Sequence, residues 1–180
     1  EVVTGEHSGL HNPFMPAALT QTGITWIGSD NSREPQPYPI GPATTVPRYP
    51  SNVYYNVGTR AEQLDEYNHI YLPPALGGRC VDTPTNTCRT TPATWDEYVD
   101  SEASIMFGHL MGNDPRPHYA HQSNLAEDGV LYDVLDAVLD RYRAWFEPPL
   151  FQPTMQEAAR ELERQAAWQQ DVAAGRVTAY

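Results

Sequence analysis

A strand, a helix and a second strand follow one another at the start of the chain, and this order restricts the folds that it can adopt. Residues 1–5 are typical of the end of a strand, and residues 24–28 are typical of a buried strand. Between them, Asn12 is suited to cap a short helix with Pro13 in its first turn, and Gly23 to end it. A helix that returns the chain to its starting edge requires parallel strands. The segment therefore predicts a βαβ unit.

Three further helices are predicted by capping boxes, in which a threonine caps a backbone amide and a glutamate three positions later reaches back. These boxes begin at Thr59, Thr94 and Thr154. Apolar stripes at helical spacing predict core-packing helices after Thr94 and over residues 129–146. The two stripes are Trp95, Val99, Ala103, Met106 and Leu110, and Leu131, Leu135, Val138, Tyr142 and Phe146. Helices that alternate with strands favour an α/β barrel or sheet.

Residues 35–74 are rich in proline and tyrosine, which predicts long ordered loops with one possible strand at residues 53–57. Another short strand is predicted at residues 117–121, where residue types alternate. Several aromatic side chains could form a wall on which a sugar stacks, although such residues more often pack loops onto a core. They are Trp26, Tyr38, Tyr49, Tyr54, Tyr55 and Tyr71.

The composition disfavours several classes of function. The formal net charge is −12, and all 11 basic residues are arginines, so we expect no nucleic-acid partner. No apolar run approaches the roughly 18 residues of a membrane-spanning helix. Residues 1–20 also lack the pattern of a signal peptide. A length of 180 residues with 40% hydrophobic content predicts a globular chain with a core.

The only two cysteines, Cys80 and Cys88, flank the turn-rich residues 81–87. This spacing suits a disulfide that closes a loop in an oxidising compartment, and two reduced thiols are the alternative. We expect a secreted or cell-surface protein. Residues 1–5 and 175–180 both resemble interrupted strands. We therefore also expect the chain to be a piece of a longer protein.

Two histidines, His7 and His11, follow the first strand at a spacing that suits two ligands of one metal ion. Neutral imidazole is a good ligand for zinc, and a catalytic site adds a third ligand that is often a carboxylate. Parallel strands would bring these histidines beside the loop at residues 29–33. Asp30 in that loop can ligate a metal, act as a base or bond to amides in a turn. Ordinary loop histidines are the alternative reading of His7 and His11.

Three more residues are candidates for catalysis. Arg33 and Arg48 each begin an Arg-x-Pro sequence, and an arginine near a catalytic carboxylate would hold it ionised and oriented. His121 ends the predicted strand at residues 117–121, where a barrel strand would deliver a side chain to the catalytic face. A partly buried structural histidine is nearly as good an interpretation of His121. The remaining histidines, His69, His109 and His118, are assigned structural roles.

These residues resemble a known family, the polysaccharide deacetylases of the NodB-homology type. The His-Ser/Thr-x-x-His-Pro motif of that family resembles His7-Ser8-Gly9-Leu10-His11-Asn12-Pro13, with Asn12 inserted. The chain looks like a divergent, secreted, actinobacterial-like branch, similar to enzymes that deacetylate exopolysaccharide galactosamine. The resemblance implies one partial domain over residues 1–180, the C-terminal part of a distorted (β/α) barrel. The barrel would extend to about residue 146, with a helical segment at residues 154–171 and the N-terminal part absent.

The resemblance also implies a function and roles for the site residues. His7 and His11 would bind a divalent metal, usually zinc, together with an aspartate from an Asp-Asp motif that precedes Glu1. That motif would also supply the base, Arg33 or Arg48 would brace the base, and His121 would be the general acid. The implied reaction is metal-dependent hydrolysis of N-acetyl groups on an amino-sugar polysaccharide. This chain alone is then expected to be inactive, because the remainder of the parent chain is a required partner.

Two other functions stay open. The first is a non-catalytic carbohydrate-binding or cell-surface module on the same fold. The second is a glycoside hydrolase, which requires two carboxylates on opposite sides of a sugar site. Among the acidic residues, Asp30 is the one placed convincingly at the end of a predicted strand. The glycoside hydrolase is therefore the third-ranked interpretation.

Overall fold

The computed structural model describes residues 2–3, 7–31 and 37–177, without the side chains of Val2, Val3, His7 and Ser8. The chain divides into two compact units. The first unit comprises Glu1–Pro50, Asn113–Tyr119 and Pro149–Tyr180, and the second comprises Ser51–Gly112 and Ala120–Pro148. The single partial domain expected over residues 1–180 stays a prediction.

The first unit contains a five-stranded sheet. Its strands are β1 (Val2–Val3), β2 (Trp26–Asp30), β3 (Pro39–Ile40), β4 (Ala43–Pro50) and β5 (His118–Tyr119). The order is β1-β2-β4-β3, and β5 also pairs with β4. β1, β2, β4 and β5 pair in parallel, whereas β3 forms an antiparallel hairpin with β4. The predicted α/β class is confirmed, and the ends of the four parallel strands lie at one edge of the sheet.

The predicted βαβ unit is confirmed, although its elements begin later than expected. Helix α1 (Met15–Thr22) is preceded by a 3-10 segment, His7–His11. Asn12 accepts a hydrogen bond from the Phe14 amide at 3.0 Å, but Phe14 holds the cap position. The helix ends as predicted at Gly23, where a φ of 66° favours glycine. Five side chains form the core between these elements: Leu10, Leu19, Ile27, Ile40 and Ala43.

Strand β4 lies within the region that was predicted to be loops, so that part of the prediction is wrong. Its two prolines, Pro47 and Pro50, are unusual in a strand that has neighbours on both sides. On the side of β4 away from β2, the Thr45 amide donates to Tyr38 and the Tyr49 amide donates to Pro117. Alternation places Pro47 on that same side, between the end of β3 and the start of β5. Its missing N–H therefore interrupts no pairing.

The other predicted strands also differ from the structure. Residues 53–57 form turns and bends rather than a strand. The strand predicted at residues 117–121 is shorter, because β5 ends at Tyr119. Of the strand predicted at residues 175–180, Arg176 and Val177 are not in a strand, and residues 178–180 lie outside the described residues.

All three capping boxes start helices, as predicted. They begin α2 (Arg60–Tyr71), α3 (Trp95–Met111) and α5 (Met155–Ala173), and in each the threonine side chain accepts from the glutamate amide. Helix α4 (Val130–Trp145) precedes α5 and matches the range predicted for it. α2, α3 and α4 belong to the second unit, whereas α5 belongs to the first. In the described part of the chain, no helix has the length and apolar character needed to cross a membrane.

The core of the second unit forms between α3 and α4, together with α2. Ala103 and Met106 of the predicted α3 stripe are buried, as is Tyr98, which is completely inaccessible. On α4 the buried residues are Val130 and Val134, whereas Leu135 is 40% exposed. Of the predicted α4 stripe, Leu131 and Val138 pack partly buried against this core, whereas the buried Val130 and Val134 each lie one residue before a predicted position.

The predicted disulfide is confirmed. Cys80 and Cys88 are bonded, with their Cα atoms 5.7 Å apart, and both are buried. Within the loop that they close, Asp82 accepts from the Cys88 amide at 2.7 Å. The disulfide therefore fixes a segment with little regular secondary structure.

Asn52 satisfies a group of buried polar atoms in the second unit. Glu102 is 2% exposed, and it accepts from the Asn52 amide at 3.0 Å and from the Asn52 side chain at 2.8 Å. The Asn52 carbonyl accepts from Gln63 at 2.6 Å and from Tyr98 at 3.2 Å. The Asn52 side-chain oxygen accepts from Tyr71 at 3.0 Å. A buried carboxylate needs such donors, because an unpaired one is costly.

We predict that Asn52→Ala lowers the free energy of unfolding by about 2–3 kcal/mol, because a buried carboxylate loses a donor and Tyr71 loses its acceptor. Urea denaturation would measure the change. The exposed Asn56 is the control, and Asn56→Ala should change the free energy of unfolding by less than about 0.5 kcal/mol. Equal effects of the two substitutions would contradict the role of Asn52.

Candidate functional site

The candidate site begins with the pairing of β2 and β4, which places Asp30 directly opposite Arg48. Paired residues of neighbouring strands point to the same face of a sheet. Arg48 lies across β2, where its Nε donates to the Ser29 carbonyl at 3.1 Å. Gly28 provides the space for this path, because a Cβ atom there would lie 3.0 Å from Arg48 Nε. The local sequence of β2 thus fixes the position of the guanidinium.

Tyr119, from β5, completes a cluster of three side chains. Its hydroxyl donates a long hydrogen bond of 3.4 Å to Asp30 Oδ2. The Arg48 guanidinium carbon lies 5.1 Å from the centre of the Tyr119 ring, which is a cation–π distance. Three parallel strands therefore contribute Asp30, Arg48 and Tyr119 to one position.

The side chains of this cluster influence one another's pKa values. Burial lowers the pKa of the Arg48 guanidinium, while the nearby Tyr119 and Asp30 act in the opposite direction. Arginine keeps its proton in proteins, so Arg48 is a cation here. Burial raises the pKa of Tyr119, and the charge of Asp30 raises it further. Tyr119 is therefore a protonated donor at neutral pH, and the carboxylate of Asp30 lies beside a cation and a phenol.

A second polar cluster fixes the start of β5. Arg116 donates to Asp114 through Nε at 2.9 Å and Nη2 at 2.5 Å, and through Nη1 to Asn31 at 2.6 Å. Tyr49 donates to Asp114 at 2.7 Å, and the Arg116 guanidinium lies 4.4 Å from the Tyr49 ring centre. Asn31 follows β2 and Tyr49 lies in β4. This cluster therefore holds the segment that positions Tyr119.

The pKa of Asp114 is strongly perturbed. Burial acts to raise its pKa, but hydrogen bonds from Arg116 and Tyr49 outweigh burial and lower it to about 2. The pKa of the Tyr49 hydroxyl shifts in the opposite direction. Its burial and its bond to Asp114 raise the pKa of Tyr49 to about 12.

The segment that carries His7 and His11 is anchored beside β2. Both belong to the 3-10 segment after β1, and that segment contacts β2. Leu10 is 4% exposed and packs in the core of the first unit, whereas His11 is exposed. The side chain of His7 lies outside the described residues. Histidine nitrogens are common zinc ligands, and both histidines belong to this anchored segment.

Of the two candidate arginines, the structure describes Arg48 and does not describe Arg33. Arg48 lies beside Asp30, as described above, whereas Arg33 lies outside the described residues. Among the side chains that the structure describes, no three from His, Cys, Asp and Glu come together as a metal site. The side chain of His7 is not among those described.

His121 belongs to the second unit and lies two residues beyond the end of β5, not within a strand as predicted. It is exposed and precedes a 3-10 segment, Gln122–Leu125. Its backbone amide donates to the Asn124 side chain at 2.8 Å. Its ring lies edge-on to Tyr55, with the ring centres 6.0 Å apart. His118, which was assigned a structural role, stacks on Tyr49.

Sequence reasoning missed Tyr119 and the cluster around Arg116. Tyr119 lies in the predicted strand at residues 117–121, and its position at the end of a parallel strand was the available signal. Asp114 and Arg116 precede that predicted strand. The contact of Arg116 with Asn31 joins residues that are far apart in the sequence, and no local pattern marks it.

Comparison with known proteins identifies the fold. No protein-family model matches the chain, and no curated protein does. The mixed α/β fold with a parallel sheet is similar to that of a carbohydrate deacetylase. That protein is Agd3, whose solved structure is described as that of a novel carbohydrate deacetylase. The TM-score is 0.66 at 20% sequence identity, over 85% of this chain and 25% of that chain. The chain thus spans a quarter of the length of the structure it matches.

We predict that Asp114→Asn lowers the free energy of unfolding at pH 7 by about 1–3 kcal/mol, because Arg116 loses a charged acceptor. The folded pKa of Asp114, about 2, lies below the ordinary value, so its stabilisation is complete above about pH 4. It is lost as the pH falls through about 2. Denaturant unfolding from pH 7 to pH 2 should therefore show a difference between wild type and Asp114→Asn that shrinks below pH 4.

The exposed Asp136 is the matched control for this measurement. Asp136→Asn should leave the free energy of unfolding at pH 7 within about 0.5 kcal/mol of the wild type. A difference between wild type and Asp114→Asn that stays constant down to pH 2 would show that the carboxylate is not held by Arg116 as described.

Proposed function

We propose that the protein is a metal-dependent deacetylase that hydrolyses N-acetyl groups on an amino-sugar polysaccharide. The observation that carries this proposal is the sheet edge where Asp30, Arg48 and Tyr119 come together, next to the end of the strand that leads to His7 and His11. Its occurrence in a fold similar to that of a carbohydrate deacetylase supports the same class of reaction. The His7–His11 motif further favours the NodB-homology type.

The strand order supports a barrel. β1, β2, β4 and β5 are parallel and lie side by side in their order along the chain. Neighbouring strands of a (β/α) barrel are arranged in this way, and active sites of such barrels lie where the strands end. We therefore infer that the first unit forms the C-terminal part of a distorted barrel.

The donor chemistry of the sheet edge fits a divalent metal, which we propose to be zinc. His7 and His11 would hold it, since both follow β1 on a segment that Leu10 anchors in the core. When bound, zinc would supply Lewis-acid activation of the acetyl carbonyl and of the attacking water. By the family resemblance, an aspartate of a motif preceding Glu1 would be the third ligand.

Within this chain, Asp30 is our candidate for the carboxylate that accepts the proton of the attacking water. Arg48 favours its ionised form by charge, and Tyr119 orients it by donating a hydrogen bond. The resemblance implies a different assignment, in which the motif preceding Glu1 supplies the base and Arg33 or Arg48 braces it. Asp30 would then have a supporting role beside Arg48. The two assignments differ in how much activity depends on Asp30.

His121 would donate the proton that the leaving amine requires. Its support is its place in the sequence, two residues after β5 ends at the same edge as β2 and β4. Proton donation of this kind contributes about 10²–10⁴-fold to rate in other enzymes.

An extracellular location fits this function. The Cys80–Cys88 disulfide requires an oxidising environment to persist, and such environments lie outside the cytosol. An N-acetylated exopolysaccharide or cell-wall glycan would be the substrate there. We therefore propose that the protein is secreted or displayed at the cell surface.

Acetate release tests the proposed reaction. The full-length protein should release acetate from oligomers of N-acetylglucosamine or N-acetylgalactosamine, lose this activity with a chelator, and regain it with zinc or cobalt. Release that is indifferent to chelation would contradict the metal. Binding of the oligomers without any release would instead favour a non-catalytic carbohydrate-binding module.

Variants of the cluster test its chemistry. If Asp30 is the base, Asp30→Asn should lower kcat by about 10³-fold or more, whereas a supporting role predicts a loss of about tenfold to 10²-fold.

Tyr119→Phe removes one hydrogen bond to Asp30 and should lower kcat by about tenfold with little change in KM. Asp136→Asn is the control, with kcat unchanged. Wild-type activity in Asp30→Asn would contradict a role for Asp30 in catalysis.

A further inference from the structure

The aromatic residues that could contact a sugar differ in how much of each side chain is exposed to solvent. Tyr49 bonds to Asp114 and stacks on His118. Tyr71 bonds to Asn52, and the hydroxyl of Tyr54 is buried. Tyr55 differs from these, because 71% of its surface is exposed. A large aromatic surface left open to solvent is available for binding.

The backbone that presents Tyr55 is held on both sides. The Ser123 hydroxyl donates to the Tyr55 carbonyl at 2.6 Å. The Asn124 side chain donates to the carbonyls of Tyr54 at 2.7 Å and Val57 at 3.1 Å. Asn124 is completely inaccessible, and Val57 is 2% exposed. A ligand that meets the Tyr55 ring therefore encounters an ordered backbone, so little conformational entropy is lost on binding.

The buried side chain of Asn124 also positions His121. Asn124 accepts from the His121 backbone amide while it donates to the loop around Tyr55. The two rings lie 6.0 Å apart at 69°. The imidazole therefore covers only part of the Tyr55 side chain, which is 71% exposed. Asn124 thus presents the two rings together as one surface.

We propose that Tyr55 is a sugar-binding residue whose ring stacks on the pyranose ring of an N-acetylhexosamine unit next to His121. The faces of pyranose rings carry apolar C–H groups, and these suit the electron-rich face of an aromatic ring. This inference rests on the proposed deacetylase function for the identity of the sugar and for the role of His121.

Direct binding measurements test the inference without any turnover. Isothermal titration of the full-length protein would use two probes, tetramers of N-acetylglucosamine and of N-acetylgalactosamine. Tyr55→Ala should weaken binding of at least one tetramer about tenfold. Tyr55→Phe, which keeps the ring, should bind within about twofold of the wild type. In acetate release, the Tyr55→Ala substitution should raise KM by a similar factor and leave kcat nearly unchanged.

Tyr132 is the matched control, since it is a tyrosine of the same unit that is 54% exposed on α4. Tyr132→Ala should bind both tetramers as the wild type does. Unchanged affinity in Tyr55→Ala would overturn the inference, as would equal losses in both alanine variants or no binding of either tetramer by the wild type. Tyr55-dependent binding without acetate release would support the sugar site while contradicting the deacetylase function.

Discussion

The parallel pairing of β2 with β4 is the interaction on which the candidate site depends. Hydrogen bonds close this pairing at both ends, from the Thr44 amide to Thr25 and from the Asn31 amide to Arg48. Ile27 and Val46 are buried within it. A slip of one residue would turn Arg48 to the other face of the sheet, away from Asp30. The buried residues of both strands oppose such a slip, so core packing determines which polar side chains meet at the edge.

Polar networks then position the segments that the strands do not fix. Asp114 and Arg116 hold the approach to β5 against Asn31 and Tyr49, and thereby place Tyr119. In the second unit, Glu102, Gln63 and Asn124 bond to backbone groups of residues 52–57. Buried polar groups in these networks are paired, because each unpaired group would cost about 1–3 kcal/mol. The residues proposed to act in catalysis and sugar binding thus depend on neighbours that need not touch a substrate.

Local sequence patterns predicted the elements whose causes are local. The three Thr-x-x-Glu boxes gave the helix starts, Gly23 marked the end of α1, and the cysteine spacing indicated the disulfide. Other features depend on partners far along the chain. β4 was missed because its prolines are typical of loops, and Pro47 is tolerated where β3 and β5 leave a gap. The burial of Val130 and Val134 depends on the packing of α4 on α3, which no stripe on α4 alone can show. For the same reason, the sequence left Arg33 and Arg48 as alternatives, and the strand register brings Arg48 to Asp30.

If the sheet edge is the site of a metal-dependent deacetylase, zinc should bind where β1 leads into its 3-10 segment. Anomalous diffraction from zinc-loaded crystals of the full-length protein would locate the ion directly. We predict one zinc ion bound by imidazole nitrogens of both His7 and His11, at about 2.0–2.1 Å. A sheet edge that takes up no zinc, or zinc bound through neither histidine, would contradict this interpretation.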